Sequence, residues 1–235
     1  MEIERKWMVS GWPALDEYAL PLIGTEYQEQ GYVHTQAPIV RVRLEARSDD
    51  KYGEVPAVHD DDALAVHDDD ALAMRDGDAH AEHGGDSPAK SGGGAPATSG
   101  GSVTQAVRES IPDENARHIL CFKSAGFLSR EEIEIEISRE DFAKLSGLIG
   151  QPLIRKVRRI YQLPEGLELE VNLVDEGLPT EFMYAEVEFK DEAQARAWDP
   201  AGCGLGDYLA NDVTEQPGQS MSAFWAQTRG GGAQV

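Results

Sequence analysis

Seven separate stretches of this chain alternate charged or polar residues with apolar ones. They carry Glu2/Glu4/Lys6, Arg41/Arg43, Lys123, Arg130/Glu132/Glu134/Glu136, Lys156/Arg158, Glu168/Glu170/Asn172 and Glu186/Glu188. The intervening positions hold Val40, Val42 and Leu44, Ile133, Ile135 and Ile137, or Ala185, Val187 and Phe189. Successive side chains of a strand point to opposite faces, so each stretch reads as a strand with one charged and one apolar face. An antiparallel sheet with one wet face has this pattern. Ordinary wet faces, however, mix Thr, Ser, Gln and Lys, and here Thr and Ser are almost missing. Closing the sheet on itself would turn the charges inward and leave the apolar stripes to be covered by helices.

Enclosed charges must be paired or bound to something. Carboxylates crowded together resist ionising, and a divalent cation relieves their repulsion. Clustered Arg and Lys are relieved by an anion, and Arg fits phosphate oxygens in bidentate fashion. Oxygen ligands suit Mg²⁺ or Mn²⁺. The two sets together describe a site for a metal-bound polyanion.

Period-two alternation predicts strands over 2–9, 28–34, 39–47, 118–124, 130–138, 154–163, 166–174 and 182–190. Helices are expected over 139–149, 191–197 and 219–227. The first has Ser138 as N-cap, Glu140 and Asp141 in its first turn and Gly150 beyond its end. The class is therefore α+β.

From 49 to 118 the chain is acidic, Gly/Ala/Ser-rich and poor in aromatics, with 16 acidic residues against five Lys and Arg. That is half of the net charge of −22. An Ala-Val-His-Asp-Asp-Asp-Ala-Leu repeat begins at Ala57 and again at Ala65. Such a tract buries too little apolar surface to offset its ordering entropy, and it is expected to be a disordered loop. Its His59, His67, His80 and His83 offer no fixed geometry for a metal. Loop-closure entropy grows slowly with length, so a hairpin between 39–47 and 118–124 can carry the insertion. The expected organisation is a tunnel domain over 1–48 and 119–228, the insertion 49–118 and a flexible tail 229–235.

So acidic a chain repels nucleic acid and anionic membrane over most of its surface. No apolar run approaches the roughly 18 residues of a membrane span. With no secretion-like start and with Cys121 and Cys203 read as free thiols, a cytoplasmic protein is expected.

In this setting the chain resembles the triphosphate tunnel metalloenzymes, or CYTH domain. The resemblance rests on Glu2-Ile3-Glu4-Arg5-Lys6 at the start, Gln30-Gly31-Tyr32-Val33, Val40-Arg41-Val42-Arg43, Phe122-Lys123-Ser124 with Gly126, and Ser129-Arg130 with Glu132 and Glu134. Lys156 with Arg158, Glu170-Val171-Asn172, Ala185-Glu186-Val187-Glu188-Phe189 and Val213-Thr214 follow in the family's order. It covers nearly all of the chain except the insertion, and is nearest to small bacterial inorganic triphosphatases.

The resemblance implies an eight-stranded antiparallel β-tunnel with flanking helices that hydrolyses or cyclises a triphosphate with Mg²⁺ or Mn²⁺. It assigns phosphate contacts to Lys6, Arg41, Arg43, Lys123, Arg130, Lys156 and Arg158. It assigns metal binding to Glu132, Glu134, Glu170, Asn172, Glu186 and Glu188, with Glu2 and Glu4 holding a second metal and the attacking water. Catalysis would then centre on Glu2, Glu4, Lys6 and Lys156. The chain departs from the pattern at Asn172, where relatives carry Asp, at Arg159 after the basic pair, and at Pro217-Gly218 after Val213-Thr214. The expected partner is a small triphosphate, with no nucleic acid and no membrane; a homodimer is compatible with the sequence. Inorganic tripolyphosphate needs no base-recognition pocket. Thiamine triphosphate, which Trp7, Trp12 or Trp225 could contact, cyclisation of ATP, and binding without turnover are the alternatives.

Overall fold

The computed structural model describes residues 1–14, 20–48 and 102–230. Nine strand segments form one antiparallel sheet: β1 (Glu2–Val9), β2 (Leu22–His34), β3 (Ile39–Ser48), β4 (Ala116–Lys123), β5 (Ser129–Arg130), β6 (Glu132–Glu136), β7 (Ile154–Gln162), β8 (Glu168–Val174) and β9 (Phe182–Glu188). Their order is β5-β1-β9-β8-β7-β2-β3-β4-β6.

The ends of that order are one residue apart in the chain. β5 pairs with β1 through Glu2↔Arg130 and Ile3↔Ser129. β6 pairs with β4 from Lys123↔Glu132 to Ile119↔Glu136. The segment 129–136 thus pairs with both flanks and draws the sheet into a nearly closed barrel. The single strand expected over 130–138 is broken at Glu131, because its first two residues face a different partner from the rest. The eight expected strands become nine for that reason. Gly126, at φ 153°, makes the turn into β5, where a Cβ would stand 2.0 Å from the Ser129 carbonyl oxygen.

Strand β2 begins six residues earlier than predicted. Gly24 and a register shift between Leu22 and Gly24 interrupt its alternation. At Gly31 a Cβ would stand 2.7 Å from Leu153 Cδ2, so glycine lets the segment after α2 (Arg139–Ile149) lie against β2. α2 forms as predicted: Ser138 Oγ accepts from the Asp141 amide, and Gly150 closes the helix at φ 65°.

Three apolar clusters hold the barrel. Trp7, Leu169, Val171, Ala185 and Val187 pack with Leu205 and Leu209 and with Ala195 of α3 (Glu192–Ala197). Tyr27, Ala46, Val157 and Leu173 pack under Val103, Val107 and Ile111 of α1 (Val103–Ser110) and its end. Tyr32, Ile154, Val174 and Tyr184 meet Trp225 of α4 (Met221–Arg229). Each large apolar side chain fully buried here contributes roughly 1.5–3 kcal/mol.

Two expected boundaries are corrected. Of the predicted insertion 49–118, residues 49–101, with the repeat, its two histidines and also His80 and His83, lie outside the described residues. The remainder is ordered: α1 presents Val103 and Val107 one turn apart to the β2/β7 surface, and Glu176 caps it by accepting from the Val103 and Thr104 amides at 2.8 and 2.7 Å. The closing helix runs to Arg229 rather than 227, because Arg229 Nη2 reaches the buried Asp175 carboxylate at 2.6 Å. The predicted tail therefore begins later, and 231–235 lie outside the described residues. Cys121 and Cys203 are both free thiols. Among the described residues no helix is long and apolar enough to cross a membrane.

Candidate active site

The charged faces of β1, β3, β4, β6, β7, β8 and β9 look into one cavity of about 840 Å³. Of the fifteen residues predicted for the site, it brings fourteen to the wall: Glu2, Glu4, Lys6, Arg41, Arg43, Lys123, Arg130, Glu132, Glu134, Lys156, Arg158, Glu170, Glu186 and Glu188. Asn172 is the exception. It is fully buried behind the wall, where its Oδ1 accepts from Arg158 Nε at 3.1 Å and aims that guanidinium. Its side-chain oxygen, expected among metal ligands, is engaged in holding Arg158.

Ion pairs fill one stretch of the wall. Arg130 donates to Glu2 and to Glu4, both at 2.6 Å. Lys123 lies 3.1 Å from Glu2 and 2.8 Å from Glu132. Arg41 spans Glu132 and Glu134 at 3.3 and 3.4 Å, and Arg43 lies 2.8 Å from Glu134 and 3.0 Å from Glu45. Across the cavity's other strands Lys6 meets Glu186 at 3.4 Å, while Arg158 reaches Glu170 at 2.6 Å and Glu186 at 3.6 Å. Among the described residues Lys156 has no carboxylate within 4 Å. Its Nζ donates instead to Tyr184 Oη at 3.0 Å.

The register sets like charges face to face. Glu4 stands opposite Glu188 on β9, and Glu170 opposite Glu186. Directly opposed like charges destabilise a sheet unless something compensates them. Burial, then the nearby Glu186, pushes the Glu4 carboxyl up to about 7, against the pull of Arg130. Burial also raises Glu170 and Glu188, assisted by Glu186 and by Glu2 respectively. Glu132 goes the other way. Burial would raise it, but hydrogen bonding with Glu2 and the Lys123 charge hold it at about 2. Glu186, opposed by burial, is held low by Lys6, Lys156 and Arg158. Burial and the neighbouring Arg158 press Lys156 well below the usual ammonium range.

Carboxylate oxygens are the donors a hard divalent cation takes. The opposed carboxylates Glu4/Glu188 and Glu170/Glu186 supply hard oxygen donors whose repulsion it would relieve. A second group of donor atoms, from Cys121, Glu132 and Glu134, lies within 4.8 Å of one another, with the Cys121 thiol 2.9 Å from Glu132. Burial pushes that thiol up to about 11, which leaves it protonated and a poor ligand beside the carboxylates.

Residues without an assigned role in the sequence also stand here. Gln30, Tyr32, Tyr184 and Thr214 line the cavity. Gln28 lies fully buried, opposite Lys156 in the β2–β7 register. The signal for Tyr184 was its phase, two residues before Glu186 and four before Glu188.

No family model matches the chain. An inorganic triphosphatase of Nitrosomonas europaea is 31% identical over 112 residues, which span 48% of this chain and 70% of that protein. The chain belongs to that triphosphate tunnel family. Among solved structures, an inorganic triphosphatase aligns with 95% of this tunnel protein and 96% of its own chain at 19% identity and a TM-score of 0.45. A Pyrococcus horikoshii protein aligns over 89% of each chain at 14% identity and a TM-score of 0.41. A Hippeastrum protein described as a putative adenylyl cyclase with dominant triphosphatase activity aligns over 88% of each at 15% identity and 0.43. In this tunnel the cations come from five strands and the carboxylates from four, so positive groups face the cavity from several sides with carboxylate oxygens beside them.

Proposed function

We propose that this tunnel protein is a divalent-metal-dependent triphosphatase whose main substrate is inorganic tripolyphosphate. The observation that carries the reading is the convergence of Arg41, Arg43, Lys156 and Arg158 on the cavity that also holds the opposed pairs Glu4/Glu188 and Glu170/Glu186. The name of the Nitrosomonas relative supports the same activity.

Mg²⁺ or Mn²⁺ would be held by Glu2, Glu4, Glu132, Glu134, Glu170, Glu186 and Glu188, and when bound would neutralise phosphate charge and make water a better nucleophile. The protein's own share is positional. Lys156, Arg158, Arg41 and Arg43 bind the phosphate chain and balance charge that builds on its oxygens in the transition state. Arg130, held by Glu2 and Glu4, orients both carboxylates toward the cavity. Glu4, which burial and Glu186 push up to about 7 in the absence of metal, is a carboxyl whose ionised form a bound cation would favour.

A specific observation favours the inorganic substrate. None of the three tryptophans suited to hold an organic group lines the cavity: Trp7 packs on Trp198, Trp12 lies under Arg159, and Trp225 is buried against Tyr32. Phosphate release should be measured from tripolyphosphate, thiamine triphosphate and ATP, each with Mg²⁺ and with Mn²⁺, alongside cyclic AMP formation. Tripolyphosphate should be cleaved with the highest kcat/KM. Phosphate release from none of the three would end the proposal, and dominant turnover of either organic substrate would end its inorganic part.

A further inference from the structure

We propose that Tyr184 is a positioning residue that holds Lys156 for the phosphate chain without adding a countercharge and backs Lys6, itself paired with Glu186, an inference that rests on the triphosphatase reading above. Tyr184 is 1% exposed on β9, and its side chain reaches the cavity. It touches two lysines on two other strands through two different parts of the ring. Its hydroxyl accepts from Lys156 Nζ of β7 at 3.0 Å. Its face lies 3.7 Å from Lys6 Nζ of β1, measured to the ring centroid.

The chemistry of the tyrosine decides what these contacts can do. Along β9 the inward positions run Glu188, Glu186, Tyr184. A third glutamate would place a carboxylate against Lys156, and the ammonium would enter the same ion pairing as Lys123 or Arg130. A substrate phosphate would then have to break that pair. The phenol fixes the Lys156 nitrogen by a neutral acceptor and adds no countercharge, so an arriving phosphate would be the group that favours the ammonium form. Its ring face attracts Lys6 in the same way, through a quadrupole and not through a countercharge. Lys156 is 3% exposed and, among the described residues, is the one cavity lysine or arginine without a carboxylate within 4 Å. A buried amine with no countercharge, beside Arg158, Arg43 and Arg41, is a place for an anion, which would favour its protonation.

The ring is itself held firmly. It stacks on Phe182 with centroids 5.8 Å apart and belongs to the cluster of Tyr32, Ile154, Val174 and Trp225. A rigid holder limits the conformational freedom that two long lysine side chains lose on binding.

Tyr184→Phe keeps the ring and deletes only the hydroxyl. Tripolyphosphate binding, measured by calorimetry on the metal-free full-length protein, should weaken about three- to tenfold, the usual worth of one such hydrogen bond. In turnover with Mn²⁺ the KM should rise by about the same factor, with kcat changed less than twofold. Tyr184→Leu, which also removes the face under Lys6, should weaken binding further. In a Lys156→Met background the Tyr184→Phe change should have no additional effect. Binding and KM within twofold of wild type in Tyr184→Phe would overturn the proposal. So would a full Tyr184→Phe effect that persists beside Lys156→Met, since that reports a general packing role. If wild type binds tripolyphosphate but does not cleave it, the triphosphatase reading fails while the binding arms still judge Tyr184.

Discussion

Two stretches of the same cavity wall solve the problem of enclosed charge in opposite ways. Where β1, β4, β5 and β6 meet, every cation has a carboxylate partner, from Arg130 with Glu2 and Glu4 to Lys123 with Glu132. On β7, reached by Tyr184 of β9 across β8, Lys156 has among the described residues the Tyr184 hydroxyl and no carboxylate within 4 Å, opposite the neutral Gln28, with Gln30 and Tyr32 on the same strand as Gln28. The buried carbonyl oxygens of Gln28 and Gln30 have no donor among the described residues. The difference teaches that charge enclosed in pairs is a preformed, self-compensated frame, whereas an amine held by neutral groups stays open to a ligand that brings the countercharge. The acid-rich stretch suits a metal, and the neutral stretch suits a phosphate.

Chelation should separate the two most sharply. With EDTA, phosphate release should drop to background and return on adding Mg²⁺ or Mn²⁺, while calorimetric binding of tripolyphosphate survives in part at the Lys156 stretch. Complete loss of binding with the metal would erase the distinction. Next in size, Glu4→Gln should lower kcat by about 10²-fold or more with KM changed only a few-fold, because it removes a group that acts in the transition state. Arg43→Ala should raise KM roughly tenfold as well as lowering kcat, since it removes a phosphate contact. Wild-type turnover in both variants would refute the site.

The smallest effect is one of stability. Glu4 titrates at about 7 in the folded protein because burial and Glu186 disfavour its charge, against 4.5 in a free chain. The unfolded chain therefore loses that proton first, and the carboxyl's contribution to stability falls as pH rises from 4.5 through 7. In metal-free protein Glu4→Gln should have a melting temperature close to wild type at pH 5 and a few degrees above it at pH 8. An equal offset at both pH values would contradict the crowding of Glu4.

Much of this was legible in the chain. The phase of Arg41/Arg43, Glu132/Glu134 and Glu186/Glu188 placed each on the inward face before any strand pairing was known. The break at Glu131 was not legible, because Arg130, Glu132 and Glu134 keep phase straight through it and only the choice of partner changes. The start of β2 was hidden by Gly24 and its register shift. α1 was masked by the acidic tract around it, although Val103, Val107 and Ile111 have helical spacing. Asn172 shows the limit of phase as a guide: it lies in step with Glu170, yet cross-strand Arg158 occupies the space in front of it and takes its oxygen.

The two-residue strand β5 has a mechanical consequence. A ring of seven longer ladders is closed by a clasp only two register pairs long, Glu2↔Arg130 and Ile3↔Ser129, helped by the Glu4 amide donating to Leu128 at 3.1 Å. A hoop yields at its narrowest joint, so the amides of this clasp should exchange with deuterium well before those of the long β2–β3 ladder. Because Arg130 sits on the clasp and grips Glu2 and Glu4 across it, the ion pairs that shape the acid-rich stretch also rivet the barrel shut.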